Sequence, residues 1–283
     1  MKLLRYGPKG AEKPGLRDQD GKIRDLSGVI ADIDPETLGN GLAALRGLDV
    51  AALPTVEEGV RMAEPVARVG KFVCIGLNYR DHAEEAGMAI PTEPILFMKV
   101  TSAIMGPNDD ILMPPASQKS DWEVELGVVI GKTARYVPVE SAMDHVAGLC
   151  VVNDLSEREY QLERGTQWDK GKGCDTFGPF GPWLVTMDEV ADIDNLGLWL
   201  EIDGVRMQTG NTANLIFDVP FIVHYVSQFM SLHPGDIIST GTPPGVGMGM
   251  KPQRFLKEGE VITLGIDGLG EQRQLVRRGI VGA

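Results

Sequence analysis

Apolar and polar residues alternate along Asp121-Trp122-Glu123-Val124-Glu125-Leu126-Gly127-Val128 before the chain runs on into Val129-Ile130-Gly131. A period of two predicts a β-strand with Trp122, Val124, Leu126 and Val128 on one face and Asp121, Glu123 and Glu125 on the other. Short apolar runs predict further strands at Phe72–Gly76 and at 149–152, the latter ending in Asn153-Asp154. The run at 198–202 meets Asp203-Gly204, and Val261–Ile266 meets Asp267-Gly268; both read as hairpins. One stripe has helical spacing: Val219, Ile222, Val223, Val226, Phe229 and Met230, with Asp218 placed to cap and Pro220 in the first turn. It reads as core packing, with His224 as a structural histidine within it. Many strands and few helices favour an α+β fold over a doubly wound α/β one. Residues 1–68, with strand candidates at Lys2–Tyr6 and 22–25, read as a small N-terminal α+β domain without a chemical motif. Residues 69–283 read as a larger, strand-rich domain.

The 283 residues, 43% hydrophobic and 24% charged, are enough for a substantial core, and 35 Gly with 18 Pro imply many turns. A net charge of −13 disfavours nucleic acid and anionic membrane surfaces, though a local lysine or metal can still attract an anionic substrate. Cys74, Cys150 and Cys174 are odd in number and make no C-x-x-C pair, which argues against a disulfide framework or a zinc ribbon. The first residues hold no signal-peptide apolar region, and the apolar stretch 215–230 is broken by Asp218, Pro220, His224 and Gln228. A cytoplasmic protein is expected.

Candidate chemistry begins with Glu123 and Glu125. Two acids on one strand face are either solvated or turned toward a hard cation, which prefers carboxylate oxygens. Asp154, at the end of an apolar strand, is either the third such acid or part of an Asn-Asp turn. His82 and Glu85 are three apart in a segment of helical composition. They form either a surface helix pair or a general base with its orienting carboxylate. The lysines of the stretch 169–182 could meet a substrate carboxylate or be solvated. The Gly-rich stretch 239–247 offers backbone N–H groups suited to carboxylate or phosphate oxygens. No Walker A loop, G-x-S-x-G elbow or G-x-G-x-x-G fingerprint accompanies these segments.

In this order the segments resemble the fumarylacetoacetate hydrolase family. The resemblance rests on Gly76-Leu77-Asn78-Tyr79 with His82 and Glu85; Asp121 to Leu126; Asn153-Asp154-Leu155-Ser156; Lys172 with Asp175-Thr176-Phe177-Gly178-Pro179; and Pro234-Gly235-Asp236 with 240–247. It covers about residue 70 to the end. It implies a β-rich mixed-sheet roll, a homodimer, and Mg²⁺ or Mn²⁺ held by Glu123, Glu125 and Asp154. It further implies a water-activating pair His82–Glu85 on a lid, a catalytic Lys172, and substrate-binding positions at Tyr79, Arg80, Gln161, Lys172 and Thr242. Leu77 stands where fumarylacetoacetate enzymes carry a fourth aspartate, which resembles the smaller acylpyruvase-like branch. Glu12-Lys13-Pro14-Gly15 and Arg24-Asp25-Leu26-Ser27 resemble bacterial hydrolases of 2,4-diketo-3-deoxy-rhamnonate or -fuconate.

The activity so implied is hydrolysis of the C3–C4 bond of a 2,4-dioxo acid, giving pyruvate and a hydroxy acid such as lactate. The metal would act as Lewis acid and His82 would activate water, while Lys172 and Thr242 would hold the carboxylate or oxyanion. Oxaloacetate decarboxylation and ureidoglycolate cleavage are the alternative activities, and a non-catalytic oxo-acid-binding protein is the third reading.

Overall fold

The computed structural model describes residues 1–280. Its largest element is an eleven-stranded mixed sheet. Nine strands run in the order Ile23–Asp25, Lys13–Arg17, Lys2–Tyr6, Gly178–Thr186, Val146–Asn153, Val124–Ile130, Ile237–Ser239, Phe72–Gly76 and Ile95–Lys99. A second, five-stranded sheet is ordered Val205–Asn211, Gly197–Ile202, Val261–Ile266, Gly270–Arg278 and Ile111–Met113. Few helices accompany them, so the fold is α+β and sheet-rich.

The strand Val124–Ile130 is buried along its whole length because it is covered on both faces. Trp122, Val124, Leu126 and Val128 join a core that includes Leu198, Leu200, Ile262 and Leu264 of the second sheet. Val129, one residue out of phase, joins another core with Phe72, Cys74, Cys150 and Phe180. Leu3 and Leu16 belong to that same core, and Lys2–Tyr6 pairs antiparallel with Gly178–Thr186. The first 68 residues therefore share a sheet and a hydrophobic layer with the rest of the chain.

The helix Val219–Phe229 starts where its cap predicts: Phe221 N donates to Asp218 Oδ1 at 2.9 Å. Val219, Ile222, Val223 and Val226 are buried, but Phe229, expected in the core, is exposed. It extends an outer aromatic ladder with Phe221 and Tyr225 instead. His224 is structural, its Nδ1 donating to Val137 O at 2.6 Å. The Asp203-Gly204 turn has φ of 50° and 77°, the positive pair that a two-residue hairpin needs. The three cysteines are free thiols. No helix among the described residues is long and apolar enough to cross a membrane.

Candidate active site

The acids come together where the strand entering at Val124 meets the strand leaving at Asn153. Val124 lies opposite Asn153, Glu125 lies opposite Val152, and Asp154 N donates to Glu123 O at 2.9 Å. Alternation places Glu123 and Glu125 on one face, and the pairing brings Asp154 beside them. Carboxylate oxygens of Glu123, Glu125 and Asp154 lie within 4.8 Å of one another, and all three residues are buried. A solvated acidic face is thereby excluded, as is a surface Asn-Asp turn. Asp121 leaves the pattern: Ser120–Asp121 forms a separate two-stranded ribbon with Ser156–Glu157.

Three buried cations compensate the cluster. Lys172 Nζ donates to Glu123 Oε2 at 2.5 Å and to Asp154 Oδ2 at 2.8 Å. Lys99 Nζ lies 2.6 Å from Asp154 Oδ1 and donates to the carbonyls of Leu155 and Lys172. Arg158 bridges Glu123 Oε1 at 2.6 Å, Asp121 Oδ2 at 2.8 Å and Gln161 Oε1 at 3.0 Å. Burial pulls the Lys172 ammonium down, but Asp154 and Glu123 outweigh it and hold the group above its ordinary range. Burial likewise pushes Glu123 up, yet Arg158 and Lys172 hold its carboxyl well below the usual carboxylate range. Glu125 goes the other way. Burial, then Asp154 and Glu123, push it well up, because its partners are the neutral donors Ser239 Oγ at 2.6 Å and Gly241 N at 2.8 Å.

This donor set fits a hard divalent cation. Three carboxylates converge, and Glu125, held by a hydroxyl and a backbone N–H, has no cation of its own. Glu123, Glu125 and Asp154 are the residues that could hold such an ion.

His82 and Glu85 lie on the short helix Arg80–Glu85, with His82 Nδ1 3.0 Å from Glu85 Oε2. Glu85 is also held from outside its helix, because Gly245 N donates to Glu85 Oε1 at 3.0 Å. The pair therefore differs from an isolated surface pair. It faces the same cavity of about 220 Å³ as Glu123, Glu125, Lys172, Gln161 and Thr242.

Tyr79 and Arg80, expected at the substrate, are not among the residues lining this cavity. Leu77 adopts φ 50°, and beyond this turn Asn78 is tied to Phe217 O and Thr240 O. Tyr79 follows into the core with its hydroxyl unpartnered, and Arg80 starts the helix as an exposed residue; neither lines the cavity. Thr242 does line it, but its hydroxyl proton goes to Val124 O at 3.0 Å while Gln208 Nε2 donates to Thr242 Oγ1 at 2.8 Å. Only a lone pair is left, so Thr242 can accept from a ligand and cannot donate to an oxyanion. Three glycine N–H groups of the 239–247 stretch are likewise engaged by the protein's own acids. Gly241 serves Glu125, Gly245 serves Glu85, and Gly247 donates to Asp121 Oδ1 at 2.7 Å. Gly245 has φ 103°, and an added Cβ would sit 2.0 Å from Met207 O, so only glycine fits there. Of the loop lysines, Lys172 is buried and Lys170 is exposed.

Sequence reasoning missed Lys99, Arg158 and the bridging role of Asp121. The one available signal was Lys99 closing an apolar strand, where a charged side chain needs a partner.

Fold and site together define a sheet-rich enzyme-like scaffold around a buried acidic triad, and comparison with known proteins gives the family. The family model described as fumarylacetoacetate (FAA) hydrolase C-terminal matches residues 71–277, and the chain belongs to this family. A Burkholderia multivorans protein, named provisionally as a hydrolase with no stated substrate, is 61% identical over 279 residues, covering 98% of this chain and 99% of its own. The structure of a fumarylacetoacetate hydrolase from psychrophilic Exiguobacterium antarcticum superposes with a TM-score of 0.89 at 34% identity, covering 99% of this chain and 100% of that one. Maleylpyruvate hydrolase from Sphingobium sp. SYK-6, in complex with manganese (II) and pyruvate, superposes with a TM-score of 0.83 at 28% identity, with the same coverage.

Proposed function

We propose that the protein is a divalent-metal-dependent hydrolase of the C3–C4 bond of 2,4-dioxo acids, releasing pyruvate and a second carboxylic acid. The observation that carries this reading is the shared cavity. A buried acidic triad with Lys172 lines one part of it, and His82, oriented by Glu85, lines another. The manganese and pyruvate bound by the Sphingobium hydrolase support the same reading. Glu123, Glu125 and Asp154 would hold Mg²⁺ or Mn²⁺, which when bound supplies Lewis acidity toward the oxygens of the dioxo acid.

The chain's own residues supply the rest. Glu85 occupies His82 Nδ1 and leaves Nε2 to take a proton from water attacking C4. The water oxygen bonds to C4 as the C3–C4 bond breaks, and the proton held by His82 is the one the departing C3 requires. The step therefore balances without an oxidant. Lys172 and Arg158, which line the cavity, would offer positive charge to the substrate carboxylate and the developing oxyanion. A 2,4-diketo-3-deoxy sugar acid such as the rhamnonate derivative, giving lactate, is a specific candidate within this class.

The test is direct. The purified protein with Mg²⁺ or Mn²⁺ is incubated with 2,4-dioxo acids, oxaloacetate and ureidoglycolate, and pyruvate and glyoxylate are measured. Pyruvate from the dioxo acids is expected; pyruvate from oxaloacetate alone would make the protein a decarboxylase, and no product would leave a binding protein. A homodimer is part of the proposal, and light scattering should give twice the chain mass of 30.6 kDa.

A further inference from the structure

The geometry points to a substrate whose tail, beyond the dioxo-acid head, is uncharged and largely apolar: an alkyl or aryl acylpyruvate rather than one ending in a second carboxylate. This rests on the function proposed above and adds the chemistry of the part that is not cleaved.

The cavity has two unlike parts. Its polar part holds both of its cations. Arg158 is already bonded to Asp121, Glu123 and Gln161, and Lys172 to Glu123 and Asp154. The apolar lining comprises Phe97, Trp168, Leu162, Met88, Val246 and Met248. It begins at the acid cluster itself, since Lys172 Nζ lies 4.9 Å from the Phe97 ring centre, and Trp168 packs edge-on against Phe97 at 5.5 Å. Leu162 and Met88, both about half exposed, carry the apolar wall outward to solvent. Among the described residues, Arg158 and Lys172 are the only lysine or arginine lining the cavity, and both are engaged by the protein's own acids. A carboxylate on the tail would meet no cation along this lining, whereas methylenes or a ring would gain contact with aromatic and thioether surface.

Binding separates this inference from the hydrolysis it rests on. The whole protein with Mg²⁺ is titrated calorimetrically with 2-oxohexanoate and 2-oxoadipate, which differ by a terminal methyl against a terminal carboxylate. 2-Oxohexanoate is expected to bind at least tenfold more tightly. Equal or tighter binding of 2-oxoadipate overturns the inference, whether or not any dioxo acid is turned over. In the kinetic arm, kcat/KM should rise from acetylpyruvate to butanoylpyruvate by roughly fourfold per added methylene, the ratio that about 0.8 kcal/mol per buried CH₂ corresponds to. Maleylpyruvate should fall below both. Leu162→Lys puts a cation on a half-exposed wall position that tolerates it, and should narrow or reverse the methyl-over-carboxylate ratio. An unmoved ratio would mean the tail does not lie on this wall and would also overturn the inference. Loss of all hydrolysis with the binding preference intact counts against the proposed reaction and leaves the tail assignment standing.

Discussion

Each acid of the triad has a different electrostatic setting, although all three are buried within a few ångströms. Glu123 faces Arg158 and Lys172, Asp154 faces Lys172 and Lys99, and Glu125 faces only a hydroxyl and an amide. Replacing Asp154 with Asn removes one anion and leaves Lys99 without its counter-charge. Metal content by plasma mass spectrometry after dialysis against Mn²⁺ should fall well below one per chain; full occupancy would remove Asp154 from the ligand set. His82 touches none of these groups. His82→Ala should lower kcat by roughly 10²–10⁴-fold, the usual worth of a positioned general base. Calorimetric Mn²⁺ affinity should stay within about twofold, and unchanged turnover would take the base away from His82.

Among the elements, the acidic strand and its neighbour were readable because period-two alternation specifies which side chains share a face. Glu123 and Glu125 followed from that period, and Asp154 from the strand that ends beside them. The capped helix Val219–Phe229 was equally legible from Asp218 and Pro220. The partners of the acids were not. Arg158, Lys99 and Asp121 reach the site through pairings set by chain crossing, which no local pattern encodes. That Tyr79 and Arg80 do not line the cavity follows a positive φ at Leu77, a non-glycine residue that gives no sequence warning. The same long-range pairing governs stability in acid. Arg61 donates to Asp109 Oδ1 at 2.7 Å and to Oδ2 at 2.6 Å across 48 residues. Burial raises the Asp109 carboxyl, but Arg61 outweighs burial and leaves it below its ordinary 3.8. A depressed folded-state value means the stabilisation is complete above that ordinary value and fades as pH drops through the lower folded one. Asp109→Asn should therefore lower the urea midpoint at pH 7 and shrink its loss between neutral pH and pH 3. An unchanged acid dependence would show that the pair contributes nothing there.

At the scale of the whole molecule, two sheets and a second hydrophobic layer enclose the acids. Lys172 and Lys99 already sit among those acids as built-in counter-charges. This sets the protein apart from small metallo-domains that unfold when stripped. Treatment with EDTA should silence the enzyme while the melting temperature drops by only a few degrees, since a weakly bound ion at a hundred times its Kd adds about 2.7 kcal/mol. Returning Mn²⁺ should restore activity without a refolding lag. The ammonium groups would hold such a stripped nest together, so the chain is expected to stay folded through a shortage of metal and to resume work on resupply.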